Sequence, residues 1–181
     1  HCLLLVAAAT GISLSAATAD RPNIVFIHAD DHRHDLFGFA GHPFVETPQL
    51  DSLAAEGLHF PNAFTVSGTC APARAAFWTG RYPHRASAPY ITHQNNSFLL
   101  TQTTFPERLQ SLGYQTAHVG KWHLGLDEEK TRGFDTWYGW ESGGTTFDQV
   151  FIKNGTERIE TTGFADDANA EIAVHEIETM A

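Results

Sequence analysis

Three short stretches of this sequence bring together residue types that can do chemistry. Asp30-Asp31 closes the apolar run Asn23-Ile24-Val25-Phe26-Ile27-His28-Ala29, which has the composition of a buried parallel strand. Two adjacent carboxylates at such a strand end must be neutralised, and a hard divalent cation with oxygen ligands, Ca²⁺ or Mg²⁺, does this naturally. The plainer reading makes one Asp a loop cap and leaves the other solvated. The second stretch is Cys70-Ala71-Pro72-Ala73-Arg74. Pro72 suits the first turn of a helix that runs through Ala75-Ala76-Phe77-Trp78-Thr79 and stops at Gly80, so Cys70 stands at a helix N-terminus. There the unpaired N–H groups and the helix dipole favour an anion by about 0.3 to 1 kcal/mol, and Arg74 adds a positive charge one turn on. That field helps both a nucleophile and an anionic substrate group; the alternative is a core cysteine in a helix start. The third stretch, Gly120-Lys121-Trp122-His123, gathers polar groups at the carboxyl end of a strand, which is where open α/β sheets bind ligands. Otherwise Lys121 is a solvated strand-end lysine and His123 a satisfied histidine beside Trp122.

The elements that must position these groups alternate between strand and helix. Thr47 and Pro48 open a helix with Leu50, Leu53 and Ala54 on its apolar face and Gly57 at its end, and Leu58 to Thr65 reads as extended. Thr104-Phe105-Pro106-Glu107 has the spacing of a capping box, with Leu109 and Leu112 as the apolar face and Gly113 as the stop. Tyr114 to Val119 follows as a strand. Val150 to Ile159 reads as a hairpin around Asn154-Gly155, and the stretch from about Asp166 is helical in pattern. This order predicts an α/β fold with a mostly parallel sheet flanked by helices.

The 181 residues are 42% hydrophobic and 18% charged, with 15 Gly and 8 Pro, which excludes disordered and collagenous chains. A net charge of −10 argues against nucleic acid as a partner. The excess is uneven: Ser111 to Ala181 holds 13 acids and 5 bases, whereas Asp20 to Gln110 holds 8 and 6, a near balance that suits an anionic substrate. Residues 1–19 contain no charged side chain and run from Leu3-Leu4-Leu5-Val6 into Ala17-Thr18-Ala19, an apolar core followed by an A-x-A cleavage site. They are expected to be a signal peptide, with residues 20–181 exported to the periplasm or the cell exterior, or lysosomal or secreted in a eukaryote. The basic front of that peptide and an initiator Met are missing from a sequence that opens on His1, so the chain is expected to be clipped at its front. Gly11, Ser13 and Ser15 interrupt the run well short of the roughly 20 apolar residues of a stable membrane anchor. Cys2 leaves with the peptide, so the exported chain keeps Cys70 as an unpaired cysteine in a compartment where thiols usually pair.

The pentapeptide and the Thr79-Gly80-Arg81 that follows it resemble the Cys-x-Pro-x-Arg…Thr-Gly-Arg signature of the type I sulfatases of the alkaline phosphatase superfamily. Arg21-Pro22-Asn23-Ile24-Val25-Phe26-Ile27 with Asp30-Asp31, the Thr47 to Ala54 helix, Gly120-Lys121-Trp122-His123 and Arg132-Gly133-Phe134-Asp135 look like further landmarks in the family order. The resemblance implies that Cys70 is oxidised to Cα-formylglycine by a formylglycine-generating enzyme and that the hydrated aldehyde attacks the sulfur of a sulfate ester. It implies that Asp30 and Asp31, with the group at position 70, bind the metal, usually Ca²⁺. Arg74 matches a residue that steadies the diol, and Lys121 and His123 match groups that bind the sulfate and the diol. His28, His32, His34, His42, His84, His93 and His118 are read as scaffold or substrate rim.

Family members are much longer and supply further metal ligands, a further His and a further Lys, so the chain is read as an N-terminal part of the catalytic domain, inactive by itself. Ala73 stands where Ser is common and Trp78 where Leu is usual; neither removes a catalytic atom. A sulfated carbohydrate is the favoured substrate. A phosphomonoester, phosphodiester or phosphonate monoester hydrolase of the same superfamily is the alternative enzyme, and a non-catalytic binding module with an unmodified Cys70 is the alternative outside catalysis. Asn95-Asn96-Ser97 and Asn154-Gly155-Thr156 are glycosylation sequons that matter only in a eukaryotic host.

Overall fold

The structure, a computed structural model, describes residues 21–89, 102–124, 133–141 and 143–180. Residues 1–19, expected as a signal peptide, together with His93, the Asn95 sequon and Arg132, lie outside the described residues. The chain forms two compact units, His1–Asp51 and Ser52–Ala181.

In the first unit a network of side-chain caps ties a loop to a helix start. The helix α1, Pro48–Glu56, begins after Thr47 as the Pro at its first position requires, and its second half belongs to the second unit. Thr47 donates its hydroxyl to Asp51 Oδ1 at 2.7 Å, while the N–H groups of Gly38 and Phe39 donate to Thr47 Oγ1 (2.9 Å) and Asp51 Oδ1 (2.8 Å). A Cβ on Gly38 would run into the Asp51 carboxylate, so only glycine permits this approach. Asn23 to Ala29, expected as a strand, is not one here: Ile24, Val25, Phe26 and Ile27 are 57–79% exposed, and no ladder among the described residues pairs them. Apolar composition fits a strand, but a strand is defined by its ladder, which composition does not supply.

The second unit is built on a four-stranded sheet of β1 (Ala117–Lys121), β2 (Thr136–Trp140), β3 (Val150–Lys153) and β4 (Glu157–Glu160), in that spatial order. The α/β class is as expected, but the sheet is mixed. β1 and β2 are parallel, with His118 opposite Trp137 and Gly120 opposite Gly139, whereas β2–β3 and β3–β4 are antiparallel. The Asn-Gly hairpin accounts for one antiparallel pair, Asn154 and Gly155 both taking positive φ (49° and 84°). Asn154 also fixes the register of β2: its side-chain carbonyl accepts from the Trp137 N–H, and its own N–H donates to the Trp137 carbonyl, each at 2.8 Å.

Helix α2, Cys70–Thr79, ends at Gly80 with φ 65°, and α3, Phe105–Ser111, ends before Gly113 with φ 83°. The capping-box pairing at α3 is present: the Thr104 N–H and hydroxyl both donate to Glu107 Oε2, at 2.8 and 3.1 Å. Helix α4, Ala165–Met180, is the helix expected from Asp166. Leu112 is 60% exposed and does not join the apolar face assigned to it, because it lies beyond the last turn of the short α3. Leu58 to Thr65 is likewise not a strand; it turns at Pro61-Asn62, and Leu58, Phe60 and Phe64 are exposed.

Successive strand residues enter two separate cores, as the pleat demands. Trp137 and Ile152 pack with Trp122, Leu124, Ala71, Ala75, Ala86 and Ala88, the cluster to which α2 contributes. Tyr138, Trp140 and Phe151 pack with Val119, Ile159, Ala168 and Ile172, the cluster to which α4 contributes. Small residues on α2 let the helix approach the tryptophans closely. Trp122, Trp137 and Phe151 are essentially fully buried, a scale of burial at which truncation to Ala costs about 3 to 5 kcal/mol.

Candidate active site

The site in the second unit forms where the start of α2 meets the carboxyl end of β1. Thr69 is extended (φ −120°, ψ 145°) and caps α2, so Cys70 is the first helical residue and is half-buried. Its environment is electropositive. Lys121 Nζ lies 3.4 Å from Cys70 Sγ, and Arg74, one turn into the helix, donates from Nη1 to the Lys121 carbonyl at 2.6 Å. The structure therefore brings together three of the residues singled out in the sequence: Cys70, Arg74 and Lys121.

Arg74 is only 7% exposed, and its charge-assisted bond to a backbone carbonyl anchors the strand end against the helix. The sequence places Arg74 one turn from Cys70 but does not announce this anchor. The backbone at the strand end is unusual. Gly120 has φ 126° and His123 φ 59°, and Trp122 continues the ladder with an N–H donated to the Trp140 carbonyl at 2.9 Å. A left-handed histidine is uncommon, and here it follows a fully buried tryptophan that pins the chain. Lys121 and His123 are half-buried on either side of Trp122. Glycine is required on the partner strand as well, since a Cβ on Gly139 would lie 2.5 Å from the Trp137 ring and 3.1 Å from the Gly120 carbonyl oxygen.

His118, read as scaffold, sits two residues before Gly120 and is 9% exposed. Burial pushes its pKa down from 6.5 to about 3, against the pull of a hydrogen bond to Gly120 and with a smaller push from Arg74. It is a neutral imidazole in an aromatic wall.

Asp30 and Asp31 belong to the first unit, where both are exposed and Asp31 takes a left-handed φ of 51°. Their carboxylates are hard oxygen donors, the type Ca²⁺ prefers, but two residues make only part of a six- to eight-oxygen shell. Among the described residues no group of three or more His, Cys, Asp or Glu gathers at metal-binding distance. Nor is any described helix long and apolar enough to cross a membrane.

The sulfatase family model matches residues 22–176. An N-acetylglucosamine-6-O-sulfatase of Bacteroides thetaiotaomicron is 35% identical over 161 residues, 87% of this chain and 28% of its own length. An N-acetylgalactosamine-6-sulfatase of Mus musculus is 39% identical over 151 residues, 76% of this chain and 29% of its own. Among solved structures, an enzyme in complex with its substrate D-glucosamine-2-N,6-O-disulfate superposes with a TM-score of 0.77 at 34% identity, covering 87% of this chain and 31% of that one. The chain thus spans under a third of the length of these relatives. Matched over 155 of its 181 positions, the chain belongs to the sulfatase family.

Proposed function

We propose that the protein containing this chain hydrolyses sulfate esters of a carbohydrate outside the cytoplasm, with a nucleophile made from Cys70. The observation that carries this reading is the ammonium of Lys121 at 3.4 Å from Cys70 Sγ, held there by a strand end that Arg74 anchors from the same helix. A cysteine kept for packing needs no cation at its sulfur. An anionic group transferred at position 70 does, because charge on the SO₃ oxygens must be met by preorganised donors. The named relatives act on amino-sugar sulfates, which supports a sulfated carbohydrate as the substrate class. The apolar, uncharged residues 1–19 support export.

In this reading a formylglycine-generating enzyme converts Cys70, and the hydrated aldehyde, once present, supplies the oxygen that attacks sulfur. Lys121 binds a sulfate oxygen and holds the anion over position 70. His123, two residues on, presents its imidazole to the same group. Arg74 keeps the Lys121 backbone in place and adds positive potential. Asp30 and Asp31 would hold Ca²⁺, which supplies Lewis acidity toward the sulfate.

The test is turnover by the full-length protein, co-expressed with a formylglycine-generating enzyme, on matched sugar sulfates and sugar phosphates. Sulfate turnover exceeding phosphate turnover is expected. The reverse preference would assign phosphoryl chemistry, and Ca²⁺ binding without turnover of either would assign a binding module.

A further inference from the structure

The carboxyl end of β1 is held by two buried donors, and only one belongs to the chemistry described so far. Arg74 takes the Lys121 carbonyl; the carbonyl just before it, on Gly120, faces Nε2 of His118 at 3.2 Å. Because a carbonyl can only accept, Nε2 must carry the proton. The ring has one place to be. It stacks on Trp137 (5.7 Å, 26°) and meets Trp122 (5.1 Å, 69°), Trp78 (5.8 Å, 76°) and Phe134 (5.5 Å, 48°). Such a wall fixes the rotamer and, by excluding water, keeps the ring uncharged, in agreement with its depressed pKa. The carbonyl it holds belongs to Gly120, whose φ of 126° starts the departure from regular strand that ends at left-handed His123. The side chains of Lys121 and His123 take their directions from that stretch.

We propose that His118 is a positioning residue for Lys121 and His123: as a neutral Nε2–H donor to the Gly120 carbonyl, it sets the backbone turn that aims the Lys121 ammonium at position 70. The assignment rests on the proposed function for its meaning in catalysis, but its geometry can be tested apart from turnover. Gln and Met have nearly the same length and volume, and only Gln has an N–H to donate, so His118→Gln and His118→Met damage packing about equally while differing at the bond in question.

The readout is the rate at which iodoacetamide alkylates Cys70 in full-length protein made without the formylglycine-generating enzyme, at fixed pH, with Lys121→Ala as reference. A cation at the sulfur accelerates alkylation, so wild type and His118→Gln should agree within about threefold while His118→Met slows to the rate of Lys121→Ala. The same ranking should appear in the kcat of the converted enzyme, with KM changing less. Equal rates for the Gln and Met variants would overturn the proposal. Where neither variant folds, ¹⁵N imidazole shifts of the wild type decide: a neutral Nε2–H ring at pH 7 upholds it, and an Nδ1–H or charged ring overturns it. Alkylation needs no turnover, so a protein that keeps this ranking yet cleaves no sulfate ester refutes the sulfatase reading and not the role of His118.

Discussion

Two stretches of this chain have the same plan, an apolar run that ends in polar residues, and they differ in what holds those residues. At the end of β1 the run has a parallel partner in β2, a tryptophan buried between Lys121 and His123, and two side-chain donors on consecutive carbonyls. At Asn23 to Asp31 the apolar residues are exposed, no ladder of the described residues pairs them, and both aspartates are exposed. The end of β1 is preorganised by packing within its own unit, whereas Asp30 and Asp31 stand in a segment that no described ladder holds.

The largest effect should come from breaking the preorganised end of β1. Lys121→Ala should lower kcat/KM for a sulfate ester by about 10² to 10³, the usual cost of one donor aimed at transferring charge. Lys121→Arg should not restore it, because a planar guanidinium does not replace a point charge at 3.4 Å from position 70. Steady-state kinetics at matched formylglycine content would measure both.

Asp30 and Asp31 should show the opposite behaviour, with substitutions mattering mainly when Ca²⁺ is present. Without metal, Asp30→Asn and Asp31→Asn should change stability by no more than about 0.5 kcal/mol, as exposed substitutions do. With Ca²⁺ at a hundred times its dissociation constant, the wild type should gain about 2.7 kcal/mol and the variants less. Denaturant titrations of the full-length protein with Ca²⁺ and with chelator make the comparison.

Acid should affect the β1 end through His118. Its pKa in the folded protein is about 3 against 6.5 unperturbed, so between those values the unfolded chain takes up a proton that the folded one refuses. Its contribution is therefore full above pH 6.5 and is lost as pH falls below it, by up to about 1.4 kcal/mol per pH unit. His118→Gln should flatten that part of the pH–stability curve relative to wild type. A modest change is expected at the cap of α3, just ahead of β1, where Thr104→Ala should cost about 1 kcal/mol in the same titrations and leave kcat unchanged.

What could be read in the sequence was local. Pro72 with Gly80, Thr104 with Glu107 and Gly113, and Asn154-Gly155 each set φ, or supply a donor or acceptor, within a few residues, and the corresponding elements are in place. The helix start that carries Cys70 and Arg74 and the strand end that carries Lys121 were also legible. What was not legible depends on partners far along the chain. Thr136 to Trp140 became a strand because β1 and Asn154 accept and donate to it, and its own aromatic run carried no alternation to announce that. Asn23 to Ala29 had the composition, but no ladder among the described residues includes it. His118 could have been noticed from one signal, its period-two relation to Gly120 on the same face of a strand, although nothing local said that the face was a wall of tryptophans.

The central claim is that position 70 carries a nucleophile made from a cysteine. Peptide mass spectrometry across Cys70, in the full-length protein co-expressed with a formylglycine-generating enzyme, tests it most directly. An aldehyde or its hydrate at position 70 is the predicted result. An intact thiol there, while a control substrate in the same cells is converted, would contradict it.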